Sequence, residues 1–275
     1  MPDRYAVIGN PIAHSKSPQI HVEFARLTAQ DLTYERILAP IEAFVATVHA
    51  ERAEGLCGCN VTLPFKTEAF GLATLHTNRA ALAGAVNTLK FEGDEIIGDN
   101  TDGAGLVADL VGNLGLDLGG KRILILGAGG AAMGAIEPLL GCRPEALVVA
   151  NRTQARARET ARSFAPVAAK YAVKTLIGCG FSAIDGSFNV VINATSVSLG
   201  NEALPVTASI FAKDGLAFDM MYGRRESPFF ALAHNAGVRT RDGLGMLIEQ
   251  AAESFLTWRG VRPPTASLFA LLQAK

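Results

Sequence analysis

The chain has 275 residues, of which 49% are hydrophobic and 19% charged, and its formal net charge is −1. This composition is typical of a globular protein with a sizeable core, and no run of Lys or Arg indicates nucleic acid or a membrane surface as a partner. No apolar run reaches the roughly 18 residues that a membrane helix requires, and the N-terminus has no signal-peptide core. We expect a cytoplasmic protein that is a monomer or homodimer.

The cysteines and histidines are not expected to bind metal. Cys57 and Cys59 are two residues apart in a predicted strand and so would face the same side, but no second pair lies nearby. The five histidines show no H-x-x-x-H spacing or other ligand pattern. Because a structural zinc site needs about four ligands at defined spacings, we expect packing roles for the cysteines and no metal.

The first hundred residues alternate between predicted strands and helices, which is typical of an α/β domain. Ser17 is the expected N-cap of the first helix, with Pro18 as its first residue. The turn at residues 92–94 predicts an antiparallel hairpin, so the sheet should be mixed and mostly parallel. Strands are predicted at 5–9, 33–38, 56–61, 85–91 and 95–98, and helices at 18–27, 41–52, 64–75 and 103–113.

A glycine-rich turn follows the next predicted strand. Residues 123–126 are all apolar, as in a strand buried on both faces, and Gly127-Ala128-Gly129-Gly130-Ala131-Ala132 follows directly. Gly127, Gly129 and Ala132 match the G-x-G-x-x-G/A spacing, in which the small residues permit the turn, the approach of a pyrophosphate, and helix packing. The spacing predicts a helix N-terminus aimed at two phosphates, and the alternative is plain packing.

The rest of this segment continues the alternation and predicts a Rossmann-like domain. Pro138 falls inside the first helix, where it should cause a kink. Strands are predicted at 122–126, 146–150, 189–194 and 216–220, and helices at 131–140, 153–164 and 228–236.

The residues after the second of these strands indicate which dinucleotide binds. They lie where a dinucleotide fold contacts the adenosine ribose, and an acid there would repel a 2′-phosphate. This chain has neutral Asn151, then Arg152, Thr153 and, one helical turn on, Arg156. Guanidinium and hydroxyl donors suit a phosphate, so the sequence favours NADP over NAD. The alternative is that both arginines are solvated residues of a helix start.

The last stretch predicts two amphipathic helices, which are divided by Pro263-Pro264 and have no strand of their own. We expect them to return to the first domain, which would then be discontinuous. The predicted domains are residues 1–103 with 243–275, and residues 104–242, with a cleft between them.

Four side chains outside the glycine-rich turn are candidates for chemistry. Lys66 falls in the first turn of a predicted helix, where a cation opposes the helix dipole, and the alternative is a surface lysine. Asp102 precedes a helix and is either its N-cap or a partner of Lys66. Ser15 and Ser17 would both face one ligand, or else Ser17 caps a helix and Ser15 faces solvent.

Eight sequence blocks, in order and almost end to end, resemble the shikimate/quinate dehydrogenase family. The resemblance implies a substrate domain made from the N-terminal half and the C-terminal helices, with a Rossmann-like NADP domain between. It also implies reversible NADPH-dependent reduction of 3-dehydroshikimate to shikimate, in aromatic amino-acid biosynthesis. The blocks are residues 9–18, 60–66, 84–88, 98–103, 127–131, 151–153, 193–196 and 242–247 with Gln250.

The resemblance also implies roles for individual residues. Lys66 and Asp102 would form the catalytic pair, and Tyr222 would close over the substrate. Ser15 and Ser17 would bind the substrate carboxylate, while Asn60, Thr62, Asn87, Asp102 and Gln250 would hold ring hydroxyls. Cofactor contacts would come from Gly127, Ala128, Gly129, Gly130, Ala131, Asn151, Arg152, Thr153, Arg156, Thr195, Met220 and Gly243.

Two departures and two alternatives accompany the resemblance. Ser227 stands where the family commonly has Thr, and Val197-Ser198-Leu199-Gly200 is less typical of the nicotinamide-side loop. One alternative is a quinate/shikimate dehydrogenase or a paralogue that acts on another cyclic polyol acid. The other is a non-catalytic NADP-sensing protein, which would not need both Lys66 and Asp102.

Overall fold

The computed structural model describes residues 1–195, 203–223 and 226–273. The chain forms two compact units, Met1–Gly105 with Leu247–Lys275, and Leu106–Met246. Both divisions fall inside helices, a few residues beyond the boundaries at 103 and 243 to which the sequence points.

The first unit begins with strands and helices that build a six-stranded mixed sheet, in the order β2-β1-β3-β5-β6-β4. β1 runs parallel to β2 and β3, and β4 to β6, whereas β5 is antiparallel to both of its neighbours. The predicted mixed sheet and its hairpin are confirmed. The elements are β1 (Asp3–Gly9), α1 (Ser17–Thr28), β2 (Leu32–Leu38), α2 (Phe44–Ala53), β3 (Leu56–Val61), α3 (Lys66–Leu72), β4 (Leu75–His76), α4 (Asn78–Ala83), β5 (Thr88–Glu92), β6 (Glu95–Asp99) and α5 (Asp102–Val107).

Several local predictions for this unit are wrong. Ser17 is not an N-cap, because α1 begins at Ser17 itself and follows Lys16, which makes no side-chain cap. α3 begins at Lys66 rather than Pro64. Cys57 and Cys59 pack into different hydrophobic clusters, since the β1–β3 register shifts at this point and so breaks the two-residue alternation.

The second unit contains a parallel six-stranded sheet in the order β12-β11-β10-β7-β8-β9, which confirms the Rossmann-like prediction. Residues 123–126 of central β7 are fully buried. The unit starts with the end of α5 and a π-helical stretch, Ala108–Asn113. Its further elements are β7 (Arg122–Leu126), α6 (Gly130–Gly141), β8 (Ala146–Asn151), α7 (Gln154–Ser163), α8 (Ala165–Lys170), β9 (Thr175–Gly180), β10 (Phe188–Asn193), β11 (Phe211–Asp219), α9 (Pro228–Asn235) and β12 (Arg239–Arg241).

Edge strand β9 was not predicted, because its glycines resemble a turn. Gly178 is needed there for packing: a methyl group at this position would lie 2.0 Å from the carbonyl oxygen of Ala157. Helix α7 therefore rests directly on the strand backbone. Pro138 lies inside α6, as the sequence indicates.

The chain ends in α10 (Leu244–Arg259) and α11 (Ala266–Gln273). From Leu247 onward α10 packs on the sheet of the first unit, where Trp258 donates from Nε1 to the carbonyl oxygen of Leu89 at 3.0 Å. A methyl group on Gly58 would lie 2.7 Å from that indole nitrogen, so the glycine permits the contact. Across the described ranges, no helix has the length and apolarity needed to cross a bilayer.

Candidate active site

The candidate residues of the first unit gather at one edge of its sheet. The loops that carry Ser15, Lys66 and Asp102 follow the carboxyl ends of β1, β3 and β6, and these three strands run in the same direction. Antiparallel β5 begins at this edge, so Asn87, just before it, joins them. In α/β sheets, ligands commonly bind beyond the carboxyl ends of the strands.

Lys66 and Asp102 form an ion pair in which Nζ and Oδ2 are 2.5 Å apart. Each is the first residue of its helix, and their side chains are 21% and 7% exposed. The Asp102 carboxylate does not serve as a cap. Instead the side-chain oxygen of Asn100 accepts a hydrogen bond from the Asp102 N–H at 3.2 Å. Of the two interpretations of Asp102, the structure supports the pairing.

Asn87 connects this ion pair to helix α10. Its Nδ2 donates to Asp102 Oδ1 at 2.8 Å and to Gln250 Oε1 at 3.1 Å. Its Oδ1 accepts from the backbone N–H of Thr101 at 2.9 Å. The carboxylate therefore has a donor on each oxygen, which fixes the direction in which it holds the ammonium.

Ser15 and Ser17 are buried and point toward each other, with their Oγ atoms 3.1 Å apart. The Ser15 carbonyl oxygen accepts from two guanidinium nitrogens of Arg36, at 2.5 and 2.9 Å, which holds the loop. Two adjacent hydroxyls can donate to the two oxygens of one carboxylate. Ser15 does not face solvent and Ser17 caps no helix, so both parts of the alternative interpretation are wrong.

Thr62 and Asn60, at the end of β3, differ in their bonding. Thr62 is half-buried, and its N–H donates to the carbonyl oxygen of Ile8 at 3.0 Å. Asn60 is buried with both ends of its amide bonded to the protein: Oδ1 accepts from Tyr34 Oη at 2.7 Å, and Nδ2 donates to Ser254 Oγ at 2.9 Å. Asn60 is thus held in place by the buried side chains of Tyr34 and Ser254.

Sequence reasoning gave no role to three buried side chains beneath the site, Tyr34, Thr88 and Ser254. Thr88 belongs to the 84–88 block, and Ser254 lies one helical turn after Gln250, so both had a weak signal. Tyr34 lies on edge strand β2 and had none.

The glycine-rich turn of the second unit has the geometry of a phosphate cradle. Gly127 adopts φ +114°, which other residues rarely adopt. α6 starts at Gly130, and no side chain among the described residues caps its first N–H groups. A methyl group on Gly129 would meet no atom within 4 Å, so the approach to these N–H groups is open. Free N–H groups at a helix start suit a pyrophosphate, and Ala128 and Ala131 add no bulky side chain.

The residues after β8 present positive charge. Arg152, Thr153 and Arg156 are exposed, and neither arginine pairs with an acid in residues 1–195, 203–223 or 226–273. Asn151 donates from Nδ2 to the carbonyl oxygen of Thr153 at 3.2 Å, which shapes the turn. Two unpaired guanidinium groups and no carboxylate fit an NADP 2′-phosphate better than a bare ribose.

Three more predicted cofactor residues meet at the carboxyl ends of β10 and β11. Thr195 Oγ1 donates to Asn193 Oδ1 at 2.7 Å, and the Met220 N–H donates to the Asn193 carbonyl oxygen at 3.0 Å. A methyl group on Gly243 would lie 2.3 Å from the Met220 carbonyl oxygen, so only glycine fits at this position. Tyr222 follows in the same turn, half-buried. Ser196 and residues 197–200 lie outside the described residues.

The fold and these two sites define an α/β protein in which one unit has a Rossmann-type dinucleotide cradle and the other a Lys–Asp pair suited to proton transfer. Within the described part of the chain, no group of three or more His, Cys, Asp or Glu residues could hold a metal ion. This is the architecture of a nicotinamide-dependent oxidoreductase.

Comparisons with known proteins identify the family. The model of the shikimate dehydrogenase substrate binding domain matches residues 7–89, shikimate / quinate 5-dehydrogenase matches 109–199, and the shikimate 5'-dehydrogenase C-terminal domain matches 243–267. A shikimate dehydrogenase (NADP(+)) from Janthinobacterium sp. (strain Marseille) is 54% identical over 273 residues, which cover 99% of this chain and 98% of the relative.

Two solved structures have the same fold. The crystal structure of an Ael1 enzyme from Pseudomonas putida has a TM-score of 0.91 and 44% identity, with 98% of each chain covered. Shikimate 5-dehydrogenase from Thermus thermophilus, in complex with NADP(H) and shikimate, has a TM-score of 0.81 and 29% identity, with 97% of each covered. The chain belongs to the shikimate dehydrogenase family and is an oxidoreductase of that family.

Proposed function

We propose that the protein catalyses the reversible NADPH-dependent reduction of 3-dehydroshikimate to shikimate. The observation that carries the proposal is the Lys66–Asp102 ion pair, 2.5 Å long, at the edge of the sheet where Ser15 and Ser17 also lie. Support comes from relatives over 50% identical along the full chain that are named shikimate dehydrogenase (NADP(+)).

The substrate binds to the first unit, Met1–Gly105 with Leu247–Lys275. The hydroxyls of Ser15 and Ser17 hold the carboxylate. The ring hydroxyls are held from around the Lys–Asp pair, with Asn60 acting mainly by fixing its neighbours. The remaining ring contacts are Thr62, Asn87, Asp102 and Gln250.

Lys66 supplies the proton. NADPH, when bound, would supply the hydride for the carbonyl carbon of the substrate, and negative charge would develop on the carbonyl oxygen. The Lys66 ammonium stabilises this charge and donates a proton to the oxygen. Asp102, with Asn87 on its other oxygen, keeps the ammonium in place. In the reverse direction the Lys66 amine accepts the proton from the hydroxyl.

The cofactor binds to the second unit, Leu106–Met246, which includes Gly243. The N–H groups of residues 127–131 would hold its pyrophosphate. Asn151, Arg152, Thr153 and Arg156 hold the adenosine end with its 2′-phosphate. Thr195, Met220 and Gly243 would hold the nicotinamide end, and Tyr222 would contact the substrate. We place the protein in the cytoplasm, as a monomer or homodimer.

An assay of the purified protein with shikimate and quinate, each with NADP and NAD, tests the proposal through nicotinamide absorbance. We expect the highest kcat/KM with shikimate and NADP. Faster turnover of quinate would instead support the quinate/shikimate alternative. Binding of both shikimate and NADP⁺ without any absorbance change would support a sensor and overturn the proposal.

A further inference from the structure

A series of hydrogen bonds in the first unit leads from a buried tyrosine to the catalytic pair. In each hydrogen bond the donor lies on the Tyr34 side, and the acceptor lies one step nearer to Asp102. Tyr34 Oη donates to Asn60 Oδ1 at 2.7 Å, Asn60 Nδ2 to Thr88 Oγ1 at 3.1 Å, Thr88 Oγ1 to Asn87 Oδ1 at 2.9 Å, and Asn87 Nδ2 to Asp102 Oδ1 at 2.8 Å.

Two backbone groups that cannot reverse their roles set this direction. The Asn87 carbonyl oxygen can only accept, and it lies 3.2 Å from Asn60 Nδ2. The nitrogen of Asn60 therefore faces inward, its oxygen faces Tyr34, and Tyr34 must donate. The Thr101 N–H can only donate, and it lies 2.9 Å from Asn87 Oδ1. Asn87 consequently turns its NH₂ group to Asp102.

Thr88 is the step between the two amides. Its hydroxyl oxygen receives a hydrogen from Asn60, and its proton goes to Asn87. Ser254 Oγ also lies 2.8 Å away, but it has its own acceptor in the Gln250 carbonyl oxygen at 3.1 Å. Thr88 is 0% exposed, so bulk water does not reach its hydroxyl to replace a lost bond.

Burial keeps the Tyr34 hydroxyl protonated, so the donor–acceptor direction of the series does not change. Burial raises the pKa of Tyr34 well above its ordinary value, so its hydroxyl remains a donor. Donors aligned in a medium of low dielectric polarise one another, and together they stabilise the negative charge where the series ends.

We propose that Thr88 is a positioning residue whose hydroxyl orients the Asn87 amide, and through it Asp102 and the Lys66 ammonium. The inference rests on the proposed function of the Lys–Asp pair. Without the hydroxyl, the Asn87 oxygen loses its donor on the Asn60 side and keeps only Thr101, while Asn60 Nδ2 keeps the Asn87 carbonyl oxygen and Ser254 Oγ as acceptors. The Asn87 amide is then held by fewer bonds, and its NH₂ group is directed less firmly at Asp102. The carboxylate then holds Lys66 less firmly.

A matched pair of variants isolates the hydroxyl. Thr88→Ser and Thr88→Ala both lack the methyl group and differ by one oxygen, while Thr88→Val keeps the volume of threonine without its hydroxyl. We expect Thr88→Ser to keep kcat within about twofold, and Thr88→Ala and Thr88→Val to lose about tenfold, the scale of one buried hydrogen bond. NADPH affinity should stay constant in all three variants.

The order of activities separates positioning from packing. A packing role predicts that Thr88→Val is the most active variant and that Thr88→Ser and Thr88→Ala are equal, and this result would overturn the inference. Thr257→Val is the control, because its hydroxyl bonds Asp99 and the Glu253 carbonyl oxygen and does not touch Asn87. It should retain native kcat.

Two further measurements keep the result decisive. Thermal unfolding of each variant sets an assay temperature at which all are folded, and if Thr88→Val does not fold, the ratio of Thr88→Ser to Thr88→Ala decides. Lys66→Ala is assayed in parallel. If it remains active, the proposed chemistry fails; if it is inactive while Thr88→Ala matches Thr88→Ser, only the positioning role fails.

Discussion

The two sites of this protein differ in the chemical groups that form them. In the first unit the site consists of side chains that hold one another, as in the contacts of Asn87 with Asp102 and Gln250. In the second unit it consists mainly of free backbone N–H groups after Gly129 and of exposed arginines. The first should therefore respond to the loss of single functional groups, and the second to changes in backbone shape and surface charge.

The largest effect is expected at Lys66. Replacement by alanine removes the proton donor, so kcat should fall at least about 10²-fold, the lower range for a general acid, while KM for 3-dehydroshikimate changes far less. Steady-state kinetics with NADPH and 3-dehydroshikimate measures both values. Turnover near that of the native protein would refute the role of Lys66.

Substitutions of two glycines in the glycine-rich turn test how the second unit depends on backbone shape. Gly127→Ala forces a side chain to adopt φ +114° with its methyl group 3.1 Å from Thr195 Cγ2, and should lower the unfolding free energy by about 1–3 kcal/mol. Gly129→Ala meets no atom, so its stability should be native while NADPH affinity falls about tenfold or more, because backbone can no longer approach the pyrophosphate.

Thermal unfolding without cofactor and titration with NADPH test this pair. If Gly129→Ala bound NADPH as tightly as the native protein, the pyrophosphate would not lie at this turn. Equal stability of the two variants would show that the positive φ of Gly127 carries no cost.

The first unit also contains a buried histidine whose protonation should make the stability of the protein depend on pH. His21 is fully buried and stacks on Tyr34 with ring centroids 4.1 Å apart, and burial lowers the pKa of His21 to about 3 from the ordinary 6.5. The unfolded chain binds this proton and the folded one does not. The contribution of His21 to stability is therefore complete above pH 6.5 and is lost as the pH falls toward 3.

Urea unfolding between pH 7 and pH 4 measures this loss, which should reach about 2 kcal/mol at pH 5. His21→Phe keeps the ring stack and should remove this part of the slope, whereas His49→Gln, at an exposed histidine, should leave it unchanged. An identical slope in His21→Phe would assign the acid sensitivity to other groups.

The smallest effect is expected at the exposed arginines. Arg152→Ala removes one charge-assisted contact to the 2′-phosphate and should raise KM for NADPH about tenfold while KM for NADH stays the same. Arg158→Ala, further along α7 and also exposed, is the control and should change neither. An equal loss with both cofactors would contradict 2′-phosphate recognition at Arg152.

The comparison also explains what the sequence could predict. The cradle was predictable because the strand, the glycines and the following helix are contiguous, and so was the parallel sheet around it. The Lys66–Asp102 pairing had only a weak local signal, a lysine at a helix start, and was implied chiefly by the family resemblance. The contact of Asn60 with Ser254 joins residues 194 positions apart, and no local pattern announces it.

Local rules failed where tertiary packing overrode them. Gly178 resembles a turn residue but lies in strand β9. Glycine is required there because helix α7 leaves no room for a methyl group. Ser17 resembles an N-cap, yet its hydroxyl is directed to Ser15. In the second case the departure from the rule marks a predicted ligand contact, as is common where function competes with local preference.

The division of the first unit into two stretches of chain has a consequence for its synthesis. Gln250, Ser254 and Trp258 all come from α10, after the whole second unit has been translated. A nascent chain therefore completes its nucleotide-binding half first, and the earlier strands wait with an uncovered face. The catalytic site of the first unit therefore cannot be complete before α10 has been translated.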